Sequence, residues 1–149
     1  MLNTTQREAI VREAMEWVGT PYRGWCHLKG IGADCGQFIY GVYRALELLP
    51  EVELPKDYSL HLAQHRESTE YVDFVSRFFR EITEAEVLPG DVVLYKIGHA
   101  YAHAALIVEW PGLVLQAEAR HGVSGANGKK FPFLRRADRR YFTLKEVQA

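Results

Sequence analysis

The spacing of apolar residues changes once along this chain, and that change decides the fold class. Up to about residue 82 apolar side chains recur at helical spacing. After Leu88-Pro89-Gly90-Asp91 they fall instead into short β-rich runs, Val92 to Tyr95, Ala104 to Trp110 and Leu113 to Ala117, each bounded by Gly, Pro or charged residues. A 3.6-residue period buries a stripe of a helix, whereas short bounded β-rich runs suit strands. Helices therefore come first and strands second, which is α+β segregation. The three runs read as consecutive antiparallel strands, with Pro111-Gly112 as the tight turn between the second and third. Gly122 to Gly128 reads as a flexible loop before a closing strand, Tyr141-Phe142-Thr143-Leu144.

The helical half divides in three. Thr5-Gln6-Arg7-Glu8 fits a capping box, and Ile10, Ala14, Trp17 and Val18 follow at helical spacing, which predicts a helix over about residues 6 to 18, ended by Gly19-Thr20-Pro21. Tyr22 to Asp34 holds Gly24, Gly30, Gly32, Tyr22, Trp25, Cys26 and His27, too irregular for either period, and reads as a loop of the kind that carries function. From Cys35 the positions Phe38, Ile39, Val42, Tyr43 and Leu46 predict a second helix to about Leu49, before Pro50. Residues 51 to 60 read as an extended connector, and 61 to 82 as a more polar helix with Tyr71, Phe74, Val75, Phe78 and Phe79 on its apolar side. No repeat or shift in composition splits the 149 residues, so one domain is expected.

Charge and composition exclude several classes of function. Eighteen Lys and Arg against nineteen Asp and Glu leave a net charge of -1 and no basic field to draw in nucleic acid. No apolar run approaches the length of a bilayer span, and Met1 to Glu8 lacks the charged-then-apolar order of a secretory signal. The expectation is synthesis in the cytoplasm, with anything outside the cell reached by another carrier. Two cysteines, Cys26 and Cys35, make no disulfide framework.

The chemistry concentrates around one of those cysteines. Asp34-Cys35-Gly36-Gln37-Phe38 places a thiol in the first turn of a helix, where unpaired N–H groups and the dipole favour a negative charge, so a lowered thiol pKa is expected. His103 opens the apolar strand Ala104 to Val108, a rigid mounting for a general base. Gln116, alone among Leu113-Val114-Leu115 and Ala117, suits a partner that fixes the imidazole tautomer through its second nitrogen. On these residues alone two readings stand: a covalent Cys/His catalyst, or a small buried Cys beside a strand-capping His. Cys26 and His27 are adjacent and neighbours rarely aim at one ion; His61 and His65 lie one helical turn apart, but no second pair completes a tetrahedral set. No metal or other cofactor is expected. His99 is expected at the loop rim, His121 in solvent, Cys26 either facing the cleft or inert, and Arg135, Arg136, Arg139 and Arg140 on a solvated face.

Thr20-Pro21-Tyr22-Arg23, then Asp34-Cys35 at a helix start, then Leu88 to Tyr95, then His103 to Ile107 resembles, in order and spacing, the NlpC/P60 superfamily of papain-like cysteine peptidases over nearly the whole chain. Within it the sequence most resembles the compact peptidases of phage tail modules and gene transfer agents, partly through the helix at about 61 to 82 and the basic Arg135 to Arg140 segment. The resemblance implies a papain-like fold with Cys35 as nucleophile, His103 as base, Gln116 as third polar residue and the Tyr22 hydroxyl beside the nucleophile at the oxyanion site. It implies a peptidoglycan stem peptide as substrate, most often cut beside a D-γ-glutamyl residue, and phage-like tail proteins as partners. Two departures stand out. The family commonly follows its Cys with Ser-Gly where Gly36-Gln37 stands here, and its third residue is often His. A glutamine orients an imidazole but carries no charge to stabilise an imidazolium. These departures also suit a tail-assembly structural protein that keeps the fold and hydrolyses nothing, and the same machinery serves acyl transfer or amide hydrolysis on other substrates.

Overall fold

The computed structural model describes residues 1–55, 69–132 and 134–145. Among the described residues the elements are, in chain order, α1 (Thr4–Glu16), β1 (His27–Leu28), β2 (Gly32–Ala33), α2 (Cys35–Ala45), α3 (Glu70–Phe78), β3 (Phe79–Ile82), a 3-10 turn (Glu84–Glu86), β4 (Val92–Ile97), β5 (Ala100–Glu109), β6 (Leu113–Glu118), β7 (Gly122–Ala126) and β8 (Arg139–Leu144).

The capping box that starts α1 lies upstream of the one expected at Thr5. Asn3 Oδ1 accepts from the Gln6 N–H at 2.8 Å while Gln6 Oε1 accepts from the Asn3 N–H at 2.9 Å. Asn is the stronger cap, so the helix begins at Thr4; it closes at Glu16, where the Trp17 N–H turns back to Ala14 O and Met15 O. Trp17 then packs edge-on against Phe38 of α2, ring centroids 5.9 Å apart. That approach requires Gly41: a Cβ there would stand 2.4 Å from the Trp17 ring. Every residue of α2 from Cys35 to Tyr43 is buried, and the helix stops at Ala45, short of Leu49, because Glu47 turns the chain at φ 58 and the Leu48 N–H bonds back to Tyr43 O.

The helix expected over 61 to 82 falls partly on residues 56–68, outside the described residues. Of its described part, Glu70–Phe78 is helical but Phe79–Ile82 is a strand, paired antiparallel with β8 from Phe79↔Leu144 to Ile82↔Tyr141. The pairing overrides the helical spacing, and Phe79 instead buries its ring edge-on against Tyr43 at 5.2 Å. The expected loop from Gly122 is likewise a strand through Ala126, because its backbone pairs with β6 from Glu118↔Gly122 to Val114↔Ala126. Gly122, at φ 66, lets β7 meet the segment that follows α1: a Cβ there would stand 2.2 Å from Thr20 O, and the Val123 N–H donates to that same oxygen.

The six-stranded sheet has the order β3-β8-β4-β5-β6-β7, antiparallel throughout. Period-2 alternation gives it two apolar faces. Val92, Leu94, Ala104, Leu106, Leu115, Ala117, Phe142 and Leu144 pack with the helices, and Val93, Tyr95, Ala105, Ile107, Val114 and Tyr141 pack with Leu134 from the segment before β8. The α+β architecture expected from the change of period is the one observed. Arg7 of α1 clamps the start of β4: its guanidinium meets the fully buried Asp91 carboxylate at 2.8 Å and also donates to Pro89 O and Thr143 Oγ1. Among the described residues no helix is long and apolar enough to cross a membrane.

Candidate active site

Asp34 is the N-cap of α2, and it works in two directions. Its Oδ1 accepts from the Gln37 N–H at 2.9 Å and its Oδ2 from the Trp25 N–H at 2.6 Å, so one carboxylate starts the helix and pins the preceding segment. That segment, expected as a loop, contains the β1–β2 hairpin, with Tyr22 bridged in parallel to Ala33. A second latch joins hairpin to helix: His27 Nδ1 lies 2.8 Å from Gln37 Oε1, and its ring stands edge-on to Tyr40 at 5.3 Å. Gln37 is one of the departures from the superfamily pattern, and this bond gives it a structural task.

These contacts hold Cys35 at the first position of α2, only 4% exposed, with its Sγ donating to Ala102 O at 3.6 Å. Ala102 is the extra residue of a β-bulge, since Tyr95 pairs with His103 but Lys96 pairs with Tyr101. Bulges re-aim the neighbouring side chain. The backbone of Ala104 also faces the thiol, so Cys35 sits against the two residues that flank His103. His103 is 1% exposed, its Nε2 lies 2.7 Å from Gln116 Oε1, and its ring is 6.0 Å from that of Tyr95. A carbonyl oxygen only accepts, so Nε2 carries the proton and Nδ1 keeps its lone pair. Gln116 is itself fully buried, with Nε2 left without a partner among the described residues.

Burial sets the protonation states. It pushes the Cys35 thiol up to about 12, with the Asp34 carboxylate adding to the rise; the N–H groups of Ala104, Gly36 and Cys35 pull the other way and are outweighed. The expectation of a lowered thiol pKa is therefore overturned: the helix start favours a thiolate, but desolvation and the capping carboxylate win. Burial likewise holds His103 down to about 4, against the opposing effects of the Gln116 bond and the Glu118 charge. Tyr22, 38% exposed, has its phenol raised to about 12 by burial and then by the charges of Cys35 and Asp34, so it stays a donor. At neutral pH the site holds a thiol and a neutral imidazole.

His99 is exposed at the β4–β5 turn, Cys26 is half-buried, and His121 is exposed and bonded through Nδ1 to Glu118. His61 and His65 fall outside the described residues, among which no group of three His, Cys, Asp or Glu is placed to hold a metal ion. Arg140 is not simply solvated: it forms a two-pronged ion pair with Glu81, at 2.6 and 3.0 Å, and lies over the Tyr101 ring at 5.3 Å. Glu118 escaped the sequence reading, although the period-2 pattern of Val114, Gln116 and Glu118 carries the signal.

No protein-family profile and no curated protein matches the sequence. Solved structures do. The chain is similar to the NlpC/p60 domain of the peptidoglycan hydrolase SagA, with a TM-score of 0.59 and 18% identity over 93% of this chain and 97% of that one. It is similar to the peptidoglycan hydrolase RipB from Mycobacterium tuberculosis, with a TM-score of 0.59 and 16% identity over 99% of this chain and 70% of that one. A third is RipD from Mycobacterium tuberculosis, described as a non-catalytic NlpC/p60 domain protein adapted to peptidoglycan binding, with a TM-score of 0.50 and 13% identity over 96% of both chains. The chain spans only 40% to 49% of four longer NlpC/P60 chains. The fold is that of NlpC/P60 domains.

Proposed function

We propose that this NlpC/P60 fold carries a cysteine peptidase that hydrolyses amide bonds in peptidoglycan stem peptides. The observation that carries the reading is the setting of Cys35 against Ala102 and Ala104, on either side of a histidine whose Nε2 is committed to Gln116. His103 Nδ1 takes the thiol proton as Cys35 Sγ attacks the scissile carbonyl carbon, and the Tyr22 hydroxyl with the backbone N–H groups at the start of α2 receives the oxyanion. Collapse breaks the C–N bond, the departing amine takes the proton from His103, and a thioester remains on Cys35. A water deprotonated by His103 then releases the acid and restores the thiol. Thiol and imidazole are both neutral at rest, so the thiol proton has to pass to His103 in the course of the reaction.

The wall substrate is supported by the named activity of SagA and RipB, both peptidoglycan hydrolases. Delivery in a phage or phage-like tail belongs to the same proposal and rests on the sequence resemblance; proteomics of purified particles tests it, and absence of the chain from them would contradict it. A second reading, a wall-binding or tail-assembly protein without turnover, is favoured by the burial of Cys35 and by the fold shared with RipD. Release of muropeptides from purified peptidoglycan by the wild type but not by Cys35→Ala separates the two.

A further inference from the structure

Gln116 leaves the site short of one thing. It aligns the imidazole but is neutral, while His103 is buried where a positive charge is poorly tolerated. Two residues further along β6, on the same face by strand alternation, stands Glu118. The β5–β6 pairing runs to Leu106↔Leu115, and beyond it the His103–Gln116 bond shows that side chains of the two strands still meet on the face that Glu118 shares. Glu118 remains in the strand to its end, paired with Gly122.

We propose that Glu118 is a positioning residue for His103: its held carboxylate supplies the fixed negative charge beside the imidazole that the neutral Gln116 does not. A glutamate at a strand end ordinarily turns to solvent. This one is 9% exposed, with Oε2 accepting from the Arg120 N–H at 3.1 Å and Oε1 bonded to His121 Nδ1, so its charge keeps one position. The groups that face His103 are Tyr95 from β4 and Gln116 and Glu118 from β6, with Arg139 of β8 opposite Tyr95. The Glu118 charge acts on the imidazole in the direction that favours its protonated form, and the bonds to Arg120 and His121 hold the carboxyl itself below its ordinary value. Orientation and charge, which one carboxylate supplies in many nucleophile-base pairs, are divided between two residues of one strand.

The proposal rests on the peptidase reading for its role in turnover, but its test does not. The His103 ring is titrated by NMR in the full chain without substrate, for the wild type and Glu118→Gln, with the amide spectrum confirming the fold at each pH. The midpoint of His103 should fall by about half a unit or more in Glu118→Gln and stay near the wild-type value in Glu118→Asp. At pH 7, alkylation of Cys35 in Glu118→Gln should slow about threefold or more, the same effect read as a rate. If Glu118→Gln does not fold, Glu118→Ser replaces it, since a serine hydroxyl accepts from the N–H two residues on. An unchanged His103 midpoint in the folded uncharged variant overturns the proposal. Failure of the wild type to release muropeptides would strike the peptidase reading and leave the titration standing.

Discussion

His103 Nε2 lies 2.7 Å from Gln116 Oε1, and this bond decides which ring nitrogen carries the proton. The proton resides on Nε2, so nitrogen-15 NMR of the wild type near pH 7 should show a neutral Nε2–H tautomer. An Nδ1–H tautomer would contradict the assignment. Truncation follows the same logic. His103→Ala should reduce wall hydrolysis by about three orders of magnitude or more, and Gln116→Ala by roughly one or two, with Gln116→His tolerated. Equal losses in the two alanine variants would show that Gln116 does more than orient.

The two cysteines should react in the order of their access. Cys35 is buried, with its thiol raised to about 12, whereas Cys26 is half-buried at the base of the hairpin. Iodoacetamide at pH 7, read by peptide mass spectrometry, should modify Cys26 first, reversing what a helix-start thiol alone suggests. Preferential modification of Cys35 would show that the site opens readily in solution.

The Gln37–His27 latch ties the hairpin to the helix that bears Cys35. Gln37→Ala removes one side-chain hydrogen bond between hairpin and helix, at a cost of about 1 kcal/mol, and leaves the Asp34 cap in place. Alkylation of Cys35 should quicken severalfold with little change in the denaturation midpoint. An unchanged rate would mean that the hairpin does not gate the thiol.

Stability should fall as the medium is acidified from about pH 6.5 to about 4. The folded pKa of His103 is depressed, so its stabilising contribution is present above the unfolded value of 6.5 and is lost as pH falls toward about 4. The shift corresponds to a loss on the order of 3 kcal/mol. Urea unfolding at pH 7 and pH 4.5 checks it: His103→Gln should lose less stability between these two values than the wild type.

Much of the architecture is legible in the spacing of apolar residues, and what is not legible has a common cause. The change from helical period to β-rich runs after Leu88 identifies β4, β5 and β6 and the α+β order, because those strands carry their own apolar pattern. Phe79–Ile82 and Gly122–Ala126 are strands because β8 and β6 pair with them; the first continues the helical spacing of the residues before it and the second holds two glycines, so they read as helix and loop. The position of Cys35 at a helix start is local and readable from Asp34. Its protonation state is not, because burial against β5 is a tertiary fact that outweighs the local dipole. The proximity of His103 and Gln116 follows from two adjacent strands, while the Gln37–His27 latch joins a hairpin to a helix and has no periodic signature.

The Arg7–Asp91 pair should dominate the cost of single substitutions far from the site. Asp91→Ala leaves a largely buried guanidinium without its charge partner, for a predicted loss of about 3 kcal/mol or more in urea unfolding. A loss below about 1 kcal/mol would mean that Pro89 O, Thr143 and solvent suffice to satisfy Arg7.

The central claim is that Cys35 performs amide hydrolysis on wall peptides. Purified peptidoglycan incubated with the wild type and with Cys35→Ala, followed by mass spectrometry of the soluble fragments, tests it most directly. The account predicts stem-peptide fragments with new amino termini from the wild type and none above background from the variant, with the variant's amide spectrum still folded. Fragments released equally by both proteins, or by neither on any wall preparation, would contradict it.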